Sequence, residues 1–219
     1  MIKIEKLKKY FQVGSEKIEI FTNLSLEIKT WDFIAIIGPS GSWKSTFLNL
    51  LSWIDRDFDG KLEIDNQDIS DLKDDEITKF RGKNISYIFQ NFKLVENLTV
   101  WENVDLIVEL NHLERNFSTE EILKIVWLSS KKDVYAFHLS WGESQRVAIA
   151  RAFVGKTKIL LADEPTWALD SKNKKIIMDL ILELHKKIKN TIIMITHDDE
   201  VAKLAQEIYK VWDGDIVKI

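Results

Sequence analysis

The amino-acid sequence predicts an α/β fold with a mixed, largely parallel central sheet, and three observations carry that expectation. Phe33-Ile34-Ala35-Ile36-Ile37, Ile159-Leu160-Leu161-Ala162 and Ile192-Ile193-Met194-Ile195 are short, unbroken apolar runs. Such runs suit strands buried on both faces of a parallel sheet. The first run leads into a glycine-bearing loop and then a helical stretch. The second and third are separated by an amphipathic segment, Ser171 to Ile188, with a lysine-rich face. Strand, helix and strand in that order make a βαβ crossover, which joins parallel strands.

Along the chain, Ile18 to Phe21 and Leu24 to Ile28 alternate apolar and polar residues and read as half-buried strands of an N-terminal antiparallel subdomain. Phe33 to Ile37 is the first buried strand, and Ser45 to Leu51 the helix after its loop. Lys61 to Ile64 reads as a short strand, Ile69 to Phe80 as a helix, and Ile85 to Phe89 as a strand. From Leu98 to about Val126 apolar residues recur at three- and four-residue spacing, which predicts an inserted helical subdomain over about 91–150. Gln145 to Phe153 is expected to be its last helix. The nucleotide-binding core then comprises about 1–90 and 151–219.

At 219 residues the chain is long enough for one large domain with a substantial core. Its 45% hydrophobic and 30% charged residues are ordinary for a globular protein. A net charge of −4 gives no support for a nucleic-acid partner, which calls for a basic face. Without cysteine there are no disulfides and no thiolate metal sites. His112, His138 and His185 lack metal-ligand spacing. No stretch approaches the ~20 apolar residues that span a bilayer, and the N-terminus lacks the apolar centre of a secretion signal. The expected compartment is the cytoplasm.

Residues 38–46 read Gly38-Pro39-Ser40-Gly41-Ser42-Trp43-Lys44-Ser45-Thr46. They match the phosphate-binding pattern G-x-x-x-x-G-K-[ST] at every fixed place but 43, where tryptophan replaces the last glycine. In such a loop, backbone N–H groups cradle phosphate oxygens at a helix N-terminus. Lys44 adds a cation for the β- and γ-phosphates, and the Ser45 hydroxyl suits Mg²⁺. The strand before and the helix after supply the context that a chance match lacks. Further on, the run Ile159 to Ala162 delivers Asp163 and Glu164 at its carboxyl end, where open α/β sheets bind ligands. Alone, such a pair is commonly a polar turn. With a phosphate loop upstream, Asp163 suits Mg²⁺ and Glu164 suits activation of a water.

Leu139-Ser140-Trp141-Gly142-Glu143 precedes Ser144-Gln145-Arg146. With this segment the chain resembles the ATPase subunits of ABC transporters over essentially its whole length. The resemblance implies further roles, residue by residue. Ser140, Trp141, Gly142 and Glu143 form the signature segment that meets the γ-phosphate held by a second copy. Gln90 is the glutamine that touches Mg²⁺ and reports nucleotide state. Asp170 lies in the loop after the two acids, His197 is the switch histidine, and Phe11 (less well, Tyr10) stacks on adenine. Glu164, His197, Lys44 and Gln90 would carry catalysis, with ATP and Mg²⁺ bound and a homodimer docked on a membrane permease at the cytoplasmic face. The segments around Asp55 to Leu72, Tyr87 to Phe92 and Leu98 to Val104 are similar to the branch serving lipoprotein-releasing and macrolide-exporting permeases. Two other readings fit less well. A soluble repair or translation ATPase would carry coiled-coil insertions or tandem cassettes. A division-site regulatory ATPase would act on a membrane partner that transports nothing.

Glycine and tryptophan each occur 8 times. Glycine is thus well below the ~15 expected at about 7% usage. Set against the family pattern, Trp31, Trp43, Trp53, Trp127, Trp141 and Trp167 stand where glycine is expected, whereas Trp101 and Trp212 do not. Moving those six to glycine removes both oddities. The reading is that these codons are UGA, decoded as glycine in the source organism and written here as tryptophan. A degenerate, catalytically impaired paralogue is the alternative. Decay would scatter substitutions over many residue types, yet Lys44, Gln90, Asp163, Glu164 and His197 are intact.

Overall fold

The computed structural model describes every residue except Ser40, Asp71 and Asp213. The elements in chain order are β1 (Ile2–Val13), β2 (Glu16–Ile28), β3 (Phe33–Ile37), α1 (Lys44–Leu51), β4 (Asp59–Ile64), β5 (Gln67–Asp68), α2 (Asp74–Asn84), β6 (Ile85–Ile88), α3 (Val100–Asn111), α4 (Thr119–Ile125), α5 (Trp141–Val154), β7 (Ile159–Asp163), α6 (Ser171–Ile188), β8 (Thr191–Ile195), α7 (Asp199–Ala202), β9 (Glu207–Trp212) and β10 (Asp215–Lys218). Backbone contacts divide them into two units, one of residues 1–81 with 191–219 and one of residues 82–190.

The first unit carries an antiparallel sheet ordered β2-β1-β4-β5. Ile2 lies opposite Ile28 on one side and Ile64 on the other, and Ile4 opposite Leu26 and Leu62. These apolar partners share one buried face, which fixes the register. A bulge after Ile4 bends β1, and there β4 approaches closely enough that Gly60 (φ 108°) has no room for a side chain. The second layer is ordered β10-β9-β3-β8, with β3 parallel to both β8 and β9. Phe33 to Ile36 are essentially inaccessible, as the unbroken apolar run requires. Phe47 of α1 meets Phe21 of β2 edge to face, with centroids 6.1 Å apart.

In the second unit β6 and β7 pair in parallel, Ile85 opposite Ile159 and Ile88 opposite Ala162. Helix α5 is the hub. Its Val147, Ala148, Ile149, Ala150, Ala152, Phe153 and Val154 are all buried, and α3, α4, α6 and β6 pack against it. Thr99, Ser118 and Ser140 open α3, α4 and α5 with reciprocal capping boxes to Glu102, Glu121 and Glu143, each satisfying two otherwise orphaned backbone donors.

Two sequence expectations shift. The helix expected over Ile69–Phe80 begins only at Asp74, because the Asp68 carboxylate turns the chain by accepting from the Ser70 N–H. Asp74, Asp75 and Glu76 then occupy its first turn, where negative charge suits the helix dipole. The periodic stretch Leu98–Val126 is two helices, interrupted where His112 turns left-handed (φ 51°) and Ser118 starts anew. Strand β1 and the β9–β10 hairpin have no counterpart among the sequence expectations, since lysines break the apolar alternation of the first.

Candidate functional site

The first unit brings the phosphate loop, His197 and Phe11 onto one framework. Strand β3 ends at Ile37 and passes directly into Gly38. Parallel pairing sets Ile36 opposite Ile195, so β3 and β8 release the loop and His197 at the same edge. The Thr196 N–H donates to the Ile36 carbonyl at 3.2 Å, and His197 is exposed one residue on. Lys44, only 7% exposed, folds back over its own loop. Its Nζ donates to the carbonyls of Gly38 (2.8 Å) and Pro39 (2.9 Å) and to Ser42 Oγ (3.4 Å). A side chain at 38 would lie 2.7 Å from Ser42 Oγ, so it would fit only if Ser42 turned away. Gly41 has φ 79°. Ser45 is exposed and Thr46 half-buried in the first turn of α1; Ser40 lies outside the described residues.

Trp43 caps α1 with left-handed backbone (φ 64°, ψ 20°). Its indole turns toward Phe11, with centroids 5.6 Å apart, and so stands on the ring proposed to take adenine. Beneath that region Lys9 is buried. Its ammonium reaches Asp55 Oδ1 at 2.9 Å and the Asp57 carbonyl at 2.6 Å, and lies 4.7 Å from the Phe11 centroid. A cleft beside the loop is lined by Pro39, Ser42 and Trp43 together with Lys210 and Trp212.

The second unit assembles Gln90, Asp163, Glu164 and the signature segment. Gln90 lies two residues past β6, and Asp163 is the last residue of β7. Parallel pairing therefore carries both to one edge. Burial, and next the Asp163 carboxylate, push the Tyr87 phenol well above its usual pKa. Glu164 adopts φ 48°, a strained backbone of the kind that clusters at functional sites. Ser140 is the N-cap of α5, and its N–H and Oγ both donate to Glu143 Oε2 at 2.9 Å. The backbone N–H of Ser140 is the main cause that holds Glu143 below its ordinary pKa. Asp170 caps α6 and is lowered chiefly by the Asn173 N–H. The carboxylates of Glu143 and Asp170 are thus both engaged in caps. Trp141 packs on Phe92 at 4.5 Å, and its Nε1 donates to the Trp167 carbonyl at 3.3 Å. Gly142 lies beside it, with the Arg146 guanidinium nearest. Gln145, quoted in the sequence only as part of the segment after the signature, and Arg151, not named there, donate to neighbouring loop carbonyls. The only sequence signal for them is a polar residue on a helix otherwise buried.

Four of the six flagged tryptophans have positive φ: Trp31 (72°), Trp43 (64°), Trp53 (58°) and Trp127 (56°). Neither Trp101 nor Trp212 does. Trp53 and Trp127 each occupy the left-handed C′ place of a Schellman motif. After α1, the Trp53 N–H donates to Leu50 and the Ile54 N–H to Asn49; after α4, the Trp127 N–H donates to Lys124 and the Leu128 N–H to Leu123. Glycine is the usual occupant of C′. Trp141 and Trp167 have ordinary φ, so any demand for glycine there comes from space for a ligand or partner.

A parallel strand feeding a phosphate loop, with acids at the end of a second parallel strand, defines a nucleotide-hydrolysing P-loop protein. Residues 21–167 match the ABC transporter family, and the chain belongs to that family as an ATP-binding ATPase. It is 40% identical over 226 aligned residues to an uncharacterised ABC transporter ATP-binding protein, MJ0796, of Methanocaldococcus jannaschii, covering 99% of this chain and 95% of that one. It is 38% identical to YknY of Bacillus subtilis, also an uncharacterised ABC transporter ATP-binding protein, covering 99% and 95%. The macrolide export ATP-binding/permease protein MacB of Campylobacter fetus is 40% identical, the match covering 99% of this chain and 34% of MacB. A dimeric structure of the MJ0796 cassette in a post-hydrolysis state bound to ADP and Pi superposes with a TM-score of 0.89 at 39% identity, covering 99% and 96%.

Proposed function

We propose that this chain is the ATPase subunit that powers a membrane permease of lipoprotein-release or macrolide-export type at the cytoplasmic membrane face. It would act as a homodimer in which each phosphate loop pairs with the other copy's signature segment. The similarity to MacB, which joins ATPase and permease in one chain, supports the branch. The dimeric MJ0796 cassette supports the assembly. In this reading residues 91–150 are the helical signature subdomain and the remainder is the nucleotide core.

The observation that carries the reading is the posture of Lys44. Its ammonium is already inside the loop on the Gly38 and Pro39 carbonyls, where phosphate oxygens can replace them as partners. Lys44 and His197 neutralise the γ-phosphate, Ser140 and Gly142 of the second copy close over it, and Phe11 stacks on adenine. Glu164 orients the attacking water and accepts its proton, and Gln90 signals nucleotide state to the permease. Ser45, Gln90 and Asp163 are hard oxygen donors with a single carboxylate among them. That set fits Mg²⁺, which takes most of its ligands from phosphates and water. When bound, Mg²⁺ supplies charge neutralisation at the β- and γ-oxygens. Glu164→Gln in a chain with glycine at the six positions is expected to retain ATP and accumulate as a dimer. Unchanged turnover in that variant would remove Glu164 from its role.

We further propose that the native residue at positions 31, 43, 53, 127, 141 and 167 is glycine. The positive φ at four of them and the two Schellman C′ places support this. Mass spectrometry of peptides from the native organism decides it: glycine masses are expected at 43 and 141, and tryptophan masses would establish the impaired-paralogue reading instead.

A further inference from the structure

Two of the candidate catalytic segments in the second unit are loops without regular structure, and both are gripped by polar side chains from one buried helix. Arg151 of α5 spreads its guanidinium over two successive carbonyls, Nη2 to Phe92 at 2.5 Å and Nη1 to Lys93 at 2.7 Å. Phe92 and Lys93 follow Gln90 closely and are consecutive non-glycine residues with φ 53° and 51°. Such backbone persists only where its surroundings over-determine it, and a two-pronged cation on adjacent carbonyls does so. Burial pushes the Arg151 pKa down to about 10, which leaves the group charged at neutral pH. One and a half turns earlier, Gln145, 2% exposed, donates Nε2 to the Pro165 carbonyl at 2.5 Å. Pro165 directly follows the strained Glu164. At the start of the same helix Ser140 opens the signature segment.

We propose that Arg151 and Gln145 are positioning residues through which the signature helix sets the Gln90 turn and the Glu164 loop. Because the body of α5 is packed on all sides, a displacement at Ser140 moves both grips together. Closure of a partner on the signature segment is thereby registered at Gln90 and at the general base. The proposal rests on the roles assigned above to Gln90 and Glu164.

The test uses Arg151→Lys, which keeps the charge and apolar stem and gives up the fork. In the full chain, amide hydrogen exchange across Gln90–Val95 is expected to accelerate about 10-fold as a charge-assisted bond is lost, while Val104–Val108 of α3 stays unchanged. In the six-glycine chain, Arg151→Lys is expected to lower kcat about 10-fold with KM for ATP within about twofold. The same substitution in a Gln90→Ala background should lower kcat no further. Unchanged exchange at Gln90–Val95, or equal kcat losses in both backgrounds, overturns the proposal. Accelerated exchange together with a silent Gln90→Ala supports the grip and removes Gln90 from catalysis, which separates the two failures. Gln145→Glu, which sets an acceptor against the Pro165 carbonyl, is expected to lower kcat in the same way, and a normal kcat there restricts the device to Arg151.

Discussion

Replacing tryptophan by glycine is expected to stabilise this protein at some positions and damage it at another, and backbone and burial together say which. At Trp31 and Trp127 the backbone is left-handed and the indoles are 59% and 62% exposed. Left-handed backbone costs an L-residue about 1–2 kcal/mol. Glycine gives back roughly 0.5–1 kcal/mol through its freer unfolded chain. The net gain is therefore about 0.5–1 kcal/mol per site, or about 2–4 °C in Tm for each kcal/mol in a chain of this size. Trp53 has the same backbone but is 5% exposed and meets Phe58 edge to face at 5.2 Å. Truncating a buried tryptophan costs about 3–5 kcal/mol, which exceeds the strain released. Trp53→Gly alone therefore loses about 2–4 kcal/mol on the same scales. Trp101→Gly, in the first turn of α3 with ordinary φ, is the control and loses about 1 kcal/mol. Urea unfolding of the four single variants measures all of this. If Trp31→Gly and Trp127→Gly lose as much as Trp101→Gly, backbone strain is not what distinguishes the flagged positions.

Other consequences are more local. Thr99→Ala and Ser118→Ala each remove a capping box and should cost about 1 kcal/mol with ATP turnover unchanged; Ser140→Ala should cost the same stability and lose turnover as well, read by denaturation and phosphate release in the six-glycine chain. Lys44→Ala in that chain should weaken ATP binding and lower turnover at least about 100-fold, as for loss of a preorganised charge at the transition state. Glu102, Glu121 and Glu143 are held below their ordinary 4.5 by the backbone N–H of their N-caps. Groups with a lowered folded pKa stabilise fully above the unfolded value and lose that contribution as the pH falls through the folded one. Melting temperature should thus fall below about pH 4.5, and the fall should be shallower in Thr99→Ala and Ser118→Ala.

Much of this was legible in the residues because it rests on local pattern. The runs at Phe33, Ile159 and Ile192 are strands within a residue of expectation, since a strand buried on both faces has no polar positions to confuse it. Helix α6 matches Ser171–Ile188, bounded by the Asp170 cap and Lys189. Strand β1 was hidden because only one of its faces is buried and its lysines, apart from the buried Lys9, are exposed or half-exposed and break the apolar alternation. The continuous helical reading across Leu98–Val126 missed the break at His112, where tertiary packing and the Ser118 cap override periodicity. At the site, the motif residues lie at the strand ends that their patterns predicted. Contacts such as Arg151 with Phe92 and Lys93 span 58–59 residues of sequence, and no motif announces them.

A Glu164-dependent ATPase that needs glycine at six positions rests on one comparison: ATP hydrolysis by the chain as written and by the same chain with glycine at 31, 43, 53, 127, 141 and 167. With left-handed Trp43 lying against Phe11 and Trp141 wedged between Phe92 and Trp167, the first should bind ATP weakly and turn over slowly. The second should hydrolyse Mg²⁺-ATP at least about 100-fold faster, a difference of roughly 2.7 kcal/mol in the barrier, and should lose that rate on Glu164→Gln. Equal rates in the two chains, or a six-glycine chain with no Glu164-dependent hydrolysis, would contradict it.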